Sequence, residues 1–324
     1  MQKIPLIAIV GPTATGKTAL GVELAKLCGG EVVSGDSMQL YKGMDIATAK
    51  PTPEETQGIP HHLISVFDTD KAFSAASYVT LAKAAIEDIC RRGKQPILVG
   101  GTGLYISSLI YNIAFTPSKS SPRLREELQK KAAEQGGQAL LDVLREFDPE
   151  TAGSLHPNNL GRIIRAIEIY RLEGVTMSEQ KRRSRREESP YDATVIGLSF
   201  KDRQRLYDRI NRRVDRMLQD GLLEEAAAVR AKPLSATASQ AIGYKELEDY
   251  FEGKCALEEA AERLRQSTRN YAKRQLTWFA RDPRIRWIYL DNTQSIKEVV
   301  DITKTILENT GKYDMLKQGV STRP

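Results

Sequence analysis

The sequence predicts an α/β fold: a parallel sheet covered by helices and interrupted by a helical insertion. Three observations predict it. Aliphatic runs alternate with helical periodicity through the first hundred residues, the order of a strand–helix–strand–helix–strand unit. From 122 to 171 only helical periodicity is present. Strand character then returns at 194–200 (TVIGLSF) and at 286–290, and these two late strands would complete a five-stranded sheet that three early strands leave small. The chain divides accordingly into an α/β core of residues 1–116 and 191–324 and a helical insertion of residues 117–190.

Each element has its own signal. Residues 6–10 are an unbroken aliphatic run between Pro5 and Gly11, the pattern of a strand buried on both faces. Leu20, Leu24 and Leu27 share one face of the following helix, which Gly29 and Gly30 stop. A short strand follows at 31–34. Ser74 is placed to cap a helix through Cys90, and Gly93 ends it. Residues 95–99 form a third aliphatic strand that runs into Gly100-Gly101-Thr102-Gly103. In the insertion, Gly136-Gly137, Pro149 and Pro157 punctuate the helices. The last third reads as helices over 202–219, 222–230, 239–250, 256–280 and 295–309.

Composition narrows the function. Of 324 residues, 40% are hydrophobic and 28% charged, enough apolar material for a core, which excludes disorder, collagen and small disulfide scaffolds. The apolar run at 4–10 is too short to span a bilayer and has no cleavage-site flank, so a cytoplasmic location is expected. Cys28, Cys90 and Cys255 form no CxxC pair, and with only His61, His62 and His156 beside them they read as buried thiols, not zinc ligands. The net charge of +6 does not mark a nucleic-acid binder by itself. The basic residues are clustered, however: the run 181–186 (KRRSRR), the set Arg203, Arg205, Arg209, Arg212, Arg213 and Arg216, and the set Arg263, Arg265, Arg269, Lys273 and Arg274. Each cluster alone reads as a solvated face; three together point to a polyanionic partner.

The most specific motif is Gly11-Pro12-Thr13-Ala14-Thr15-Gly16-Lys17-Thr18, which fits G-x-x-x-x-G-K-[ST] between a strand and a helix. Such a P-loop turns backbone N–H groups and a helix N-terminus onto phosphate oxygens, with Lys17 reaching the terminal phosphate and Thr18 holding Mg²⁺. The fold class is therefore P-loop NTPase-like. The usual acid ending a hydrophobic strand is missing, since 96–99 runs into glycines, and no NKxD tetrapeptide is present. An acid stands instead at Asp36, past the second strand, where it could take a proton from a nucleophile attacking the phosphorylated ligand. The same residue could simply cap a turn.

These residues, with GDSMQLYKGMDIATAKP at 35–51, HHLI at 61–64, GGTGLY at 100–105, RIIRAIEIY at 162–170, QAIGYKE at 240–246 and TRNYAKRQLTWFAR at 268–281, resemble the tRNA dimethylallyltransferases of bacterial type, also called tRNA isopentenyltransferases. The motifs span nearly the whole chain. Ala47 stands where the family's DIGTAKP form has Gly, which bears on local loop geometry. The resemblance implies transfer of a dimethylallyl group from dimethylallyl diphosphate to N6 of adenosine 37 in the tRNA anticodon loop, with release of diphosphate. It implies Asp36 as the base, Lys17 and Arg213 as stabilisers of the leaving diphosphate, Thr13 on the bridging oxygen, and Mg²⁺ at Thr18. It assigns tRNA contact to Asp36, Ser37, Met38, Gln39, Thr102, Arg125, Gly161, Arg162, Ile163, Ile164, Arg165, Gln240, Ala241, Ile242, Gly243 and Tyr244. The implied partners are the tRNA anticodon stem-loop and dimethylallyl diphosphate, with no membrane, and a monomer is expected. The readings that compete are an isopentenyltransferase acting on free adenine nucleotides, a P-loop small-molecule kinase, and a noncatalytic RNA-binding protein.

Overall fold

The computed structural model describes residues 3–115, 120–184 and 187–311. Two compact units form, one from residues 1–110 and 190–324, the other from residues 111–189. In the first, the early elements are β1 (Ile4–Val10), α1 (Lys17–Cys28), β2 (Glu31–Ser34), α2 (Pro53–Thr56), β3 (His61–His62), α3 (Ala75–Arg91), β4 (Pro96–Gly100) and α4 (Gly103–Ile110). The second unit holds α5 (Pro122–Phe147), α6 (Pro149–Gly153), α7 (Leu160–Glu173) and α8 (Met177–Arg183). The first unit then resumes with β5 (Tyr191–Ser199), α9 (Arg203–Gln219), α10 (Leu222–Arg230), α11 (Glu248–Phe251), α12 (Leu257–Phe279), β6 (Arg286–Tyr289) and α13 (Ile296–Asn309).

The sheet runs β3-β2-β4-β1-β5-β6 and every pairing is parallel. It has six strands, one more than the periodicity predicts. The added strand, β3, is two residues long and pairs Val32 with His61, too short for any alternation to register in sequence. β1 is central: Ile7 faces Ile97 on one side, and Ile4 to Val10 faces Tyr191 to Gly197 on the other. Alternate side chains feed two cores. Ile7, Ile9, Ile97 and Ile196 pack on α1 and α13, while Leu6, Ala8, Leu98 and Val195 pack on α3, α4 and α12. Adjacent strands β1 and β4 thus send their following helices to opposite faces. The crevice this opens at their carboxyl ends is where open α/β sheets bind ligands.

Helix signals hold where caps are local. Ser74 Oγ accepts from Ser77 N, and Gly29 closes α1 at φ +59. The helix expected over 239–250 is instead two short 3₁₀ turns, Ala238–Gln240 and Lys245–Leu247, ahead of α11. Gly243 at φ +113 and an extended Ala241 interrupt it. In the second unit, α5 breaks at Gly136, and Leu128, Leu140, Leu144, Ile163 and Ile167 form its core. Three of the five residues of the third basic cluster are paired within the fold, while Lys273 and Arg274 are exposed. Arg265 pairs with Asp215, Glu258 and Glu262, Arg269 with Glu262, and Arg263 with Asp249 and Glu259. Among the described residues, no helix is long and apolar enough to cross a membrane.

Candidate functional site

The loop after β1 is held from three directions. Gly11 lies so close to β5 that a Cβ there would stand 2.3 Å from Leu198 O, so only glycine lets the strands pair up to the loop. Thr15 Oγ1 donates to Pro12 O at 2.9 Å, and Lys17 Nζ reaches back to the same carbonyl at 2.7 Å. From α12, Gln275 spans two loops: its Oε1 accepts from Thr13 N at 2.9 Å and its Nε2 donates to Gly101 O at 2.9 Å. From α9, one turn apart, Arg209 Nε donates to Ala14 O at 2.8 Å and Arg213 Nη1 to Thr13 Oγ1 at 3.2 Å. α9 and α12 are themselves packed through Leu206, Ile210 and Ala272, with Ala14 against them.

Asp36 follows β2 at the same sheet edge. Its Oδ1 accepts from Met38 N at 2.9 Å, an Asx turn that fixes the carboxylate. Burial raises its pKa above the usual carboxylate range, against the pull of the Met38 N–H and of the Lys17 and Arg213 charges. Lys17 moves the other way: burial first, then the neighbouring Arg213, bring it down to about 7, with Asp36 opposing. Arg213 is also lowered, by burial above all. Two cations and one carboxylate that feel each other's charge, all drawn out of water, therefore share this part of the molecule, the kind of perturbed cluster found at functional sites.

These groups line one cleft of about 1570 Å³. Of the residues singled out in sequence, it brings together Thr13, Ala14, Gly16, Lys17, Thr18, Asp36, Ser37, Met38, Gln39, Arg213, Gln240, Ala241, Ile242 and Gly243. Gly11, Pro12 and Thr15 are buried and shape the loop from behind. Thr102 acts at the rim, its Oγ1 accepting from Ser37 N at 3.0 Å. Tyr244 is not open to a ligand: it is 9% exposed and its hydroxyl donates to Glu225 Oε1 at 2.9 Å.

The second unit corrects part of the remaining list. Ile163 and Ile164 are core residues on the buried face of α7, so their side chains do not reach a ligand. Arg125 and Arg165 both bind the fully buried Glu168 carboxylate, Arg125 at 2.9 Å and Arg165 at 2.6 Å, so each is already engaged within the unit. Gly161 and Arg162 are exposed. In the 181–186 run, Arg182 pairs with Glu150 and Glu179 and Arg183 with Glu179, while Arg185 and Arg186 lie outside the described residues. Cys28 is buried, its thiol pushed up to about 12 by that burial, whereas Cys90 and Cys255 are half-buried.

Sequence reading missed Gln275 and Tyr271, which line the cleft, as individual site residues, and Glu225 behind it; Arg209, part of the second basic cluster, lines the cleft as well. The 268–281 motif holds Gln275 and Tyr271, but nothing in a linear pattern says that α12 ends against the phosphate loop.

A family model described as IPP transferase matches residues 39–282. The tRNA dimethylallyltransferase of Caldanaerobacter subterraneus subsp. tengcongensis is 48% identical over 299 residues, covering 91% of this chain and 95% of the relative. That of Bacillus subtilis is 49% identical over 286 residues, covering 88% and 90%. The full-length tRNA isopentenylpyrophosphate transferase of Bacillus halodurans superposes with a TM-score of 0.71 at 44% identity, covering 98% of this chain and 99% of that one. A eukaryotic dimethylallyltransferase acting on tRNA gives a TM-score of 0.77 at 28% identity, covering 98% and 85%. A phosphate-loop motif sharing a cleft with the buried Asp36 carboxylate, and likeness over nearly the whole length, lead to one conclusion: this chain belongs to the IPP transferase family, the tRNA dimethylallyltransferases.

Proposed function

We propose that this chain transfers a dimethylallyl group from dimethylallyl diphosphate to N6 of adenosine 37 in the tRNA anticodon loop, releasing diphosphate. One juxtaposition carries the reading: the Asp36 carboxylate shares a cleft with Lys17, Arg213 and the phosphate loop. In the reaction the N6–carbon bond forms as the carbon–oxygen bond to diphosphate breaks. The N6 proton passes to Asp36, which burial makes a stronger base than a surface carboxylate. The bond's electrons leave on the bridging oxygen, which the Thr13 hydroxyl, itself oriented by Arg213, hydrogen-bonds. Lys17 and Arg213 stabilise the charge that grows there.

Among the described residues, no group of three or more His, Cys, Asp and Glu side chains could hold a metal. The cleft instead offers isolated hard oxygen donors, Thr18 and Asp36, which suit Mg²⁺ when substrate phosphates complete its shell. Bound at Thr18 with the diphosphate, Mg²⁺ would neutralise leaving-group charge. For the acceptor, we assign the rim residues 36–39, Thr102 and 240–243 to the extruded adenosine and its neighbours. Residues 117–190 contribute through Arg162 and Gly161.

The test is incubation with labelled dimethylallyl diphosphate and Mg²⁺, offering unmodified tRNA or AMP. Label in tRNA is the expected result. Label in AMP alone would make it an enzyme of free nucleotides, and ATP-dependent phosphorylation of a small acceptor would make it a kinase.

A further inference from the structure

Glu225 stands on the first turn of α10, behind the cleft and not among its lining residues. Its Oε2 accepts from Asp45 N at 2.7 Å and from Ile46 N at 2.7 Å; its Oε1 accepts from Ala47 N at 3.0 Å and from the Tyr244 hydroxyl at 2.9 Å. Three successive backbone N–H groups converging on one anion form a nest, and bonds of this kind to a charged acceptor are among the stronger ones a protein makes. The donors come from two stretches far apart in sequence, 45–47 and 244. Both stretches belong to segments that line the cleft, through Asp45, Ile46 and Ala47 on one side and Ile242 and Gly243 on the other.

The two segments also touch. A Cβ on Gly243 would stand 2.6 Å from the Ala47 Cβ, and Gly243 has φ +113, so a side chain there is excluded twice. Ala47 itself has no positive φ, so the residue that departs from the family's glycine is accommodated by the glycine facing it. Glu225 therefore fastens a joint whose surfaces already fit.

We propose that Glu225 is a positioning residue for tRNA: it locks the 36–51 segment to the 240–246 segment so that the acceptor side of the cleft is preorganised, without touching the substrate. This rests on the tRNA function proposed above. Loosening the joint moves an ordering cost into tRNA binding. The diphosphate side is anchored separately, by Gln275, Arg209 and Arg213.

Glu225→Gln keeps the shape but turns an amide NH₂ towards backbone donors, so it cannot accept all four bonds. Steady-state transfer to an anticodon stem-loop separates the roles. The expected result is a rise in KM for the stem-loop of about tenfold, the effect of losing one charge-assisted bond. kcat at saturating stem-loop should stay within about threefold and KM for dimethylallyl diphosphate should be unchanged. Tyr244→Phe should raise the same KM, and should add little in the Glu225→Gln background. An unchanged stem-loop KM, or both KM values and kcat worsening together, overturns the proposal. If Glu225→Gln does not fold, Tyr244→Phe alone decides by the same split. Wild-type protein that labels AMP and not the stem-loop would instead overturn the tRNA function itself.

Discussion

Asp36 and Lys17 sit in one cleft with their pKa values displaced in opposite directions by the same cause, removal from water. Burial makes the carboxylate more basic and the ammonium easier to deprotonate until an anion arrives to hold its proton. Asp36→Asn should therefore lower kcat by about 10²–10⁴, the usual contribution of a general base, while tRNA affinity changes little. Near-normal turnover in the variant would remove Asp36 from the chemistry. Lys17→Ala and Arg213→Ala should each slow single-turnover transfer by roughly 10² or more, since in the proposed reaction both stabilise negative charge that grows in the transition state. If saturating tRNA restores the Arg213→Ala rate, that arginine binds RNA and does not assist departure. Lys17 was legible in sequence because a phosphate loop keeps its glycines, lysine and threonine within eight positions, and Asp36 because it follows the second strand; Arg213 was legible only through the family resemblance. Gln275 was not, since its task depends on α12 ending beside Thr13, a contact 262 positions distant.

α7 shows how a helix divides its labour. Its inner face supplies Ile163, Ile164 and Ile167 to the unit's core, and the same face carries Glu168, which is fully buried. Burial alone would raise the Glu168 pKa. Hydrogen bonds from Arg125, Ser121 N and Arg165 together outweigh it and bring the carboxyl down to about 2. Between that value and the ordinary 4.5, the unfolded chain binds the proton that the folded chain refuses. The stability contributed by this cluster is thus fully present above about pH 4.5 and disappears as pH falls through 2. Glu168→Gln should cost on the order of 3 kcal/mol near neutral pH. The deficit relative to wild type should shrink in denaturant titrations run between pH 5 and 3, and a constant deficit would contradict the assignment. At this scale the sequence conveys the helices of the insertion, because Gly and Pro punctuate it. It does not convey that Arg165 is already committed, because i, i+3 spacing puts Arg165 equally near Arg162 and Glu168.

For the whole molecule, 48 Lys and Arg against 42 Asp and Glu leave a surplus of only six positive charges, and several of the clustered arginines are paired with those acids within the fold. Arg162 is therefore the informative basic position of the insertion. Log affinity for a stem-loop should fall linearly with log salt at about −0.7 per phosphate contacted. Arg162→Ala should flatten that slope by roughly one contact and leave dimethylallyl diphosphate affinity unchanged. Arg165→Ala should change stability as well as binding, because it takes a partner from Glu168. An unaltered slope in Arg162→Ala would mean that residues 117–190 do not hold the tRNA. The sheet itself was largely readable, strand by strand, from buried aliphatic runs; its two-residue edge at His61–His62 has no such run and emerges only as a neighbour of β2.

The pairing of β1 with β5 has a consequence for how the enzyme is born. Ile4 waits for Tyr191 and Val10 for Gly197, so a chain emerging from the ribosome at ~5–20 residues per second carries an open β1 edge for roughly 10–40 s. During that interval the continuous stretch 111–189 has been made in full and can pack its own helices. Gly11 is held against Leu198, and Thr13 against Gln275, so the phosphate loop is braced only after β5 has docked and α12 has followed. An unfinished chain that has not yet reached α12 therefore carries the whole phosphate-loop sequence but lacks the Gln275 brace that ties it to Gly101.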